Sequence, residues 1–309
     1  MKTEKTVTDF QNQNGIDSKA IPLLLVAVAA ILWSTGGLLI KYVAWHPLAV
    51  SGMRSGIACL VLVAFWQVKT RTLLPGLDKF RFLAGINYAC LVTFFVVANK
   101  LTTSANAILL QFTAPAWILL FSVWFFKETF AKKDYAVVMV VFLGMALFFI
   151  GDINGGNMLG NFFGVLSGIN MALMIISLKR IKNGSPLEIV IWGNFFAFLI
   201  ATPFYGSMIM TKESLIGISL LGIFQVGIAY IFFTTGIQRV STLEGILIPV
   251  LEPLLNPVWV LIGTGEIPTL SAIVGGVIVI SAVVYKSVSD YYDSKKKIIP
   301  ITGAERATV

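Results

Sequence analysis

Long apolar stretches alternate with short polar ones along nearly the whole chain. A helix that crosses a bilayer needs about 20 mainly apolar residues. The connections between the apolar stretches are short, so no soluble domain is inserted. The pattern predicts an all-α integral membrane protein with ten transmembrane helices, numbered here as spans one to ten: 22–43, 48–67, 80–98, 105–126, 135–150, 158–178, 187–210, 215–236, 242–263 and 269–285.

The scarcity of charge agrees with this prediction. Only 12% of the residues are charged and 57% are hydrophobic, whereas a soluble domain averages about 25% charged residues. So little charge could not cover a surface that faces water. The net charge of +8 comes from basic residues in short loops, so we expect the lipid bilayer as the surroundings and no nucleic acid as a partner.

The Lys and Arg residues are divided unevenly between the two sides of this arrangement. With both termini placed in the cytoplasm, 19 of the 23 Lys and Arg residues fall on the cytoplasmic side. Lys41, Lys100 and Lys212 fall outside, and Arg54 lies within span two. Cytoplasmic loops of membrane proteins carry such an excess of positive charge. The bias predicts that both termini are cytoplasmic and agrees with an even number of spans.

The two halves of the chain share a spacing of proline and glutamate. Pro115 lies 13 residues before Glu128, Pro253 lies 13 residues before Glu266, and the two pairs are 138 residues apart. Five spans lie in each half, and an odd number gives the halves opposite orientations. Inverted repeats of this kind place a transport site at their interface, near the middle of the membrane.

The repeat divides the chain into five parts. We predict two inverted five-helix repeats, a short linker between them, and two polar tails without regular structure. In chain order these are the tail 1–21, the first repeat 22–150, the linker 151–157, the second repeat 158–286 and the basic tail 287–309.

Glu252 lies near the middle of span nine, where a carboxylate is costly and often marks an ion or substrate pathway. It could bind a proton or a cation; alternatively, it is a structural acid that pairs with Arg54 or stays protonated because it is desolvated. The neighbouring Pro253 and Pro257 break the helix, as Pro115 does in span four. The carbonyl groups that they free are tolerated where they line a cavity or meet polar groups.

Arg54 lies in span two, and three roles are open to it. It could bind an anionic group of a substrate, pair with Glu252, or extend its side chain to the outer interface.

Eight further residues place hydrogen-bonding groups inside spans, where lipid cannot satisfy them. Amides in such positions line a pathway or bond between helices, and rings with a polar handle pack or suit a flat, amphipathic solute. We predict a central cavity lined by spans one, two, four, six, seven, eight and nine, with these candidates: Trp33, Asn106, Gln111, Asn170, Trp192, Gln225, Tyr230 and Asn256.

Small residues recur at helical spacing on two spans. Gly160, Gly164 and Gly168 form a ridge on span six, and Gly52 and Gly56 do so on span two. Such ridges let helices approach closely, so we interpret them as packing surfaces.

The chain lacks the residues that several other functions need. It has one histidine, His46, and its two cysteines, Cys59 and Cys90, lie within predicted spans. We therefore expect no metal, no cofactor, no disulfide framework and no Ser-His-acid catalytic set. No P-loop motif is present. A secondary transporter is the leading interpretation, and an integral-membrane lipid-modifying enzyme is the alternative, although grouped acids that could hold Mg²⁺ are missing from the spans. A sensor or scaffold would need an output domain for which the loops leave no room.

Together these features resemble the EamA-type exporters of the drug/metabolite transporter superfamily. The resemblance covers residues 22–285 and rests on the ten spans in two halves, the two Pro-x12-Glu pairs, the Trp33-Ser34 motif and the stretch from Pro47 to Arg54. It implies a multi-pass protein of the bacterial inner membrane that exports small metabolites, such as amino acids and related organic solutes, or toxic compounds. The substrate is a small molecule, no ATP is used, and protons are a candidate coupling ion. The acids of the Pro-x12-Glu pairs fall at span ends and look architectural.

Overall fold

A computed structural model describes residues 20–127, 131–152, 157–181 and 184–304, and within these residues it contains helices and no strand. Ten helices, α1 to α10, follow one another along the described chain, and each overlaps one predicted span. Their bounds, in order, are Ala20–Tyr42, Pro47–Thr70, Lys79–Leu101, Ser104–Phe125, Lys132–Asp152, Met158–Leu178, Pro186–Ile200, Lys212–Gly236, Leu243–Thr264 and Leu270–Ala304.

Side chains in the loops satisfy the first backbone N–H groups of several helices. Asp78 accepts a hydrogen bond from the backbone N of Arg81 at 2.8 Å and so caps α3. Ser185 and Ser241 each form a capping box with a glutamate three residues later, at the starts of α7 and α9. Such caps stabilise a helix end by about 1 kcal/mol, and they fix where these helices begin.

Eight helices in the described part of the chain are long and apolar enough to cross a membrane: α1, α2, α3, α4, α6, α8, α9 and α10. The helix α7 is shorter, with 15 residues. At 1.5 Å per residue it extends about 22 Å, less than the roughly 30 Å of a hydrocarbon core.

The sequence predicted that span seven continues to residue 210. This prediction was wrong, because the α-helix ends at Ile200. After Ile200 the chain forms a 3₁₀-helix at Thr202–Ser207. Pro203 explains the change, because proline has no N–H to donate and its ring clashes with the carbonyl four residues earlier.

Three long helices contain breaks. In α4 the two α-helical pieces Ser104–Gln111 and Ala114–Phe126 meet just before Pro115. In α9 a 3₁₀ turn at Ile248–Val250 precedes the α-helix Leu251–Thr264. In α8 the middle section, Leu220–Ile228, is a π-helix.

The predicted helix-breaking role fits Pro115 and does not fit Pro257. The helix Leu251–Thr264 continues through Pro257, and Pro253 lies in its first turn. The break in α9 coincides with Pro249 instead. A proline in a first turn costs little, because the N–H that it lacks would have no partner there.

Contacts between helices follow a two-fold pattern. Exchanging α1–α5 with α6–α10 turns the contact between α3 and α7 into one between α8 and α2, and the contact between α4 and α6 into one between α9 and α1; all four are present. The contacts of α2 with α7, α4 with α9 and α5 with α10 map onto themselves. These contacts are therefore unchanged when the two halves are exchanged.

The glycine ridge of α6 lies against α3 and α4. A Cβ atom on Gly160 would meet the backbone of Leu101 and Thr102, and one on Gly164 would meet the Leu110 side chain. Gly168 faces the Leu110 carbonyl. These positions need small residues because the neighbouring helix occupies the space of a side chain.

The last helix extends beyond its predicted end. It runs to Ala304, so the expectation of an irregular tail was wrong for residues 287–304. Charge pairs support the first part of the extension: Lys286 bonds Asp290 one turn on, at 2.5 Å, and Asp134 on α5, at 3.2 Å. Lys133 on α5 pairs with Asp293.

Candidate functional site

Five polar side chains from four helices meet in the interior of the bundle. They are Arg54 on α2, Tyr88 on α3, Asn194 on α7, and Gln225 and Tyr230 on α8, and we call them the central cluster. Tyr230 is half-buried and the other four are buried. Two of these helices belong to each half of the chain, so the cluster lies where the halves meet.

Arg54 is 2% exposed, and its guanidinium has few partners. It donates to Oε1 of Gln225 at 3.5 Å and to the carbonyl oxygen of Val92 at 3.4 Å, both long bonds, and its Nε has no partner. In the described part of the chain no carboxylate lies within 4.0 Å of it. The ion pair with Glu252, one of the alternatives from the sequence, is absent from this structure.

Two tyrosines lie beside Arg54. The Tyr88 and Tyr230 rings pack edge to face, with their centroids 5.9 Å apart. Nδ2 of Asn194 donates to the Tyr88 hydroxyl, at 3.3 Å. Both hydroxyls lie within electrostatic reach of Arg54. The charge of Arg54 is therefore surrounded by neutral dipoles.

Gln225 connects the cluster to α1. Its Nε2 donates to the Trp33 carbonyl oxygen at 3.3 Å, while its Oε1 accepts from Arg54. Gln225 lies in the π-helical section of α8, and π-helical turns occur frequently at functional sites. Gly222 in the same section lets it approach α2 closely, because a Cβ there would lie 2.5 Å from Cβ of Ile57 and 3.0 Å from the Arg54 carbonyl oxygen.

Aromatic rings border the cluster on the α1 side. The Trp33 ring lies 5.0 Å from the Tyr230 ring and 5.0 Å from the Phe233 ring, centroid to centroid. Aromatic surface of this kind can hold the apolar part of a small ligand.

Glu252 lies on α9 and is half-buried. It forms no ion pair with any described residue. Its carboxylate interacts electrostatically with Tyr230, which also interacts with Arg54. Tyr230 thus lies within reach of one acidic and one basic side chain.

Asn256, one turn after Glu252, is fully buried against α1. Both of its amide atoms lack a hydrogen-bond partner, and a Cβ on Gly37 would lie 2.6 Å from its Oδ1. Farther along α9, Trp259 Nε1 donates to the hydroxyl of Ser34 at 2.9 Å. The hydrogen bond between Trp259 and Ser34 places the Trp33-Ser34 motif of α1 against α9.

Three predicted amides bond within or between helices and make no hydrogen bond to the central cluster. Asn106 Nδ2 donates to Oδ1 of Asn161 at 3.0 Å, and Oε1 of Gln111 accepts from the Ser167 hydroxyl at 2.8 Å. Asn170 Nδ2 donates to a carbonyl one turn earlier on its own helix, at 2.8 Å. These contacts match the interhelical alternative for Asn106 and Gln111.

Trp192 is not brought to the cluster by any recorded contact. Its ring packs on those of Phe195 and Phe196, at 6.0 and 5.9 Å, and its buried Nε1 has no partner. The prolines of α9 also face elsewhere. Pro253 and Pro257 line an apolar cavity of about 160 Å³ between α4, α9 and α10.

Glu266, the acid of the second Pro-x12-Glu pair, links the segment before α10 to the end of α1 and to the start of α4. Oε2 of Glu266 lies 2.6 Å from Nζ of Lys41 at the end of α1, and its Oε1 accepts from the backbone N of Ser104 at 2.8 Å. Ser104 is the first residue of α4, so Glu266 also interacts with the positive end of that helix. Glu128, the acid of the first pair, lies outside the described residues.

Tyr88 was missed by the sequence interpretation, and with it the contribution of α3. Its sequence signal is the same as that of Tyr230, a tyrosine in the middle of a span. Asn161 and Trp259 were also missed, and both carry a polar group inside a span. The sequence does not distinguish these three residues from side chains that only pack. The structure does, because it shows their hydrogen-bond partners on other helices.

One family model matches both halves of the chain. The model of the EamA-like transporter family matches residues 20–150 and again 158–287. An uncharacterized transporter of Archaeoglobus fulgidus is 28% identical over 185 residues, which cover 58% of this chain and 56% of that protein. A second uncharacterized transporter of that organism is 24% identical over 264 residues, covering 84% of this chain and 93% of its own length.

A bacterial relative and a solved structure extend the comparison. The uncharacterized transporter YdfC of Bacillus subtilis is 27% identical over 259 residues, covering 77% of this chain and 80% of that protein. A protein crystal structure with 19% identity has a TM-score of 0.60 and covers 86% of this chain and 97% of its own, a likeness of fold. With two matches that together span most of its length, the chain belongs to the EamA-like transporter family and is a multi-pass membrane protein.

Proposed function

We propose that this protein is a secondary transporter that exports small organic solutes, such as amino acids and related metabolites or toxic compounds, across a bacterial inner membrane. Ten spans in two inverted repeats, with both termini in the cytoplasm, carry the solute along the interface between the halves. The central cluster and Glu252 form the polar part of that pathway.

The central cluster is the observation that carries this proposal. Buried polar groups inside a membrane protein are costly and mark substrate or ion pathways. Here they come from α2 and α3 in one half and from α7 and α8 in the other, the arrangement expected for a site between inverted repeats. Asn256, with both amide atoms unpartnered, extends the polar surface from Glu252 towards α1.

Glu252 is the proposed proton-binding group. A half-buried carboxylate without an ion-pair partner can exchange a proton when solute or water reaches it, whereas a carboxylate held by a basic side chain stays ionised. Proton binding at Glu252 would couple export to the pH gradient.

The test measures transport in proteoliposomes with and without an imposed pH gradient, over a panel of amino acids, their derivatives and cationic toxic compounds. The proposal expects the wild-type protein to move at least one solute and the well-folded Glu252→Gln variant to lose most of this flux. Glu213→Gln is the matched control, because Glu213 is an exposed carboxylate on the first turn of α8. Transport by Glu252→Gln at the wild-type rate at every pH would falsify the role of Glu252, and absence of flux for the whole panel would remove the transporter proposal.

A further inference from the structure

We propose that Arg54 is the anion-binding residue of the transport site and that the solute carries a carboxylate group. This inference rests on the proposed transport function and names the chemical class of its substrate.

The first argument is the unbalanced charge of Arg54. Arginine keeps its proton in proteins, so burial cannot neutralise it as it can neutralise lysine. A buried cation without an anionic partner is strongly unfavourable. The Arg54 side chain is nearly inaccessible, its Nε has no partner, and its two hydrogen bonds, to Gln225 and to the Val92 carbonyl, are long.

The second argument is the composition of its surroundings. The side chains that contact Arg54 or interact with it are Gln225, Tyr88 and Tyr230, all neutral. The amide and the hydroxyls can turn to donate to a bound anion or to accept from its other groups. An anionic ligand would supply the counter-charge that no described residue provides.

The third argument selects a carboxylate among anions. The guanidinium fork matches both carboxylate and phosphate oxygens. The cluster, however, contains one cation, Arg54, and its other four side chains are neutral. A doubly charged phosphate would therefore be under-compensated at Arg54. A singly charged carboxylate balances the single charge of Arg54.

The experiment uses the purified full-length protein in detergent and follows thermal unfolding with added ligands. The probes are matched triplets: L-leucine, 4-methylpentanoate, which lacks the amine, and L-leucinamide, which lacks the carboxylate. An aromatic triplet is built in the same way from L-phenylalanine, and glycerol 3-phosphate tests the phosphate source. The variants are Arg54→Gln, Arg54→Lys and, as the matched control, Arg239→Gln, which changes an exposed arginine in the turn just after α8.

The expected result is a rise in melting temperature with carboxylate-bearing members only, in the wild type and in Arg239→Gln. Arg54→Gln should bind these members about tenfold more weakly or worse, since a hydrogen bond to a charged group is lost. Arg54→Lys should recover part of the affinity, because it keeps the charge but not the fork.

Stability without ligand separates this role from a structural one. Glutamine can still bond Gln225, and the substitution removes an uncompensated charge, so ligand-free Arg54→Gln should melt at or above the wild-type temperature. A clear fall in melting temperature would show that Arg54 holds the helices together and would overturn the inference. So would stabilisation by the amides or the phosphate equal to that by the carboxylates, an unchanged response in Arg54→Gln, or the lack of a response to every carboxylate.

Transport distinguishes failure of this inference from failure of the proposed function. If Arg54→Gln vesicles move carboxylates and amides at the wild-type rate, the protein remains a transporter and the role of Arg54 is wrong. If wild-type vesicles move nothing, the transport proposal fails, while the binding measurement still reports whether Arg54 holds a carboxylate.

Discussion

Replacing Gly160 with alanine should weaken the contact between α6 and α3. A Cβ atom at this position would lie 2.6 Å from Cβ of Thr102, 2.7 Å from the carbonyl carbon of Leu101 and 2.7 Å from the backbone N of Thr102. Ordinary contacts between carbon atoms are about 3.5–4.0 Å, so the two segments must separate by about 1 Å. Two of the three close atoms belong to the backbone, so a side-chain rotation cannot relieve the overlap.

The free-energy cost of Gly160→Ala follows from two opposing effects. Overpacking a tight site costs typically about 1–3 kcal/mol, and alanine in place of glycine favours a helix by up to about 1 kcal/mol. The separation would also strain the bond from the Thr102 hydroxyl to Oδ1 of Asn161, now 2.9 Å long. The difference between these contributions is about 0–2 kcal/mol, and we expect a net destabilisation in the upper half of that range because two of the three close atoms belong to the backbone.

Thermal unfolding in detergent, followed by tryptophan fluorescence, measures this loss. About 1 kcal/mol shifts the midpoint by roughly 2–4 °C in a protein of 150–250 residues, so a drop of a few degrees is expected. Gly164→Ala is the matched control, because it gains the same helix preference on the same helix and meets only the Leu110 side chain at 3.0 Å and farther atoms. Equal midpoints for the two variants, or a Gly160→Ala midpoint at or above that of the wild type, would refute the reasoning.

Two further predictions concern the ends of the bundle. Glu266→Gln should lower the free energy of unfolding by about 1 kcal/mol, because the partly exposed ion pair with Lys41 and the negative charge beside Ser104, at the first turn of α4, are both lost. Added salt should lower wild-type stability and so reduce the difference between the two proteins. A difference that does not depend on salt would argue against an electrostatic origin. For topology, Gly206→Cys and Gly76→Cys both place a probe in open space, in a background without the native cysteines. An impermeant thiol reagent added to intact cells should label the first and not the second, and the reverse result would invert the proposed orientation.

The sequence determined the helical class and most of the helix positions. In a bilayer the backbone must satisfy its own hydrogen bonds, so a long apolar segment has few alternatives to a helix. Each predicted span accordingly overlaps one helix. The local exceptions have local causes, such as Pro203 after α7, and the charge pairs of Lys286 contribute to the extension of α10.

Several residues of the central cluster could also be predicted from the sequence, because a polar residue within a span is unusual on any face of the helix. Arg54, Gln225 and Tyr230 were found in this way, and so was Glu252 near them. The same rule selected Asn106 and Gln111, which bond α6 and not the cluster, and it passed over Tyr88.

Only the tertiary structure decided which of these polar groups meet. Position along a helix places a side chain on a face, but the neighbour of that face depends on the rotation and approach of another helix. The π-helical section of α8 and the close approach at Gly222 bring Gln225 to Arg54, and neither follows from apolar periodicity. Among the described residues Arg54 has no acidic partner within 4.0 Å, and this too is a property of the packed bundle. The spacing along the sequence allowed a pair with Glu252, and the packing of α2 and α9 does not form it.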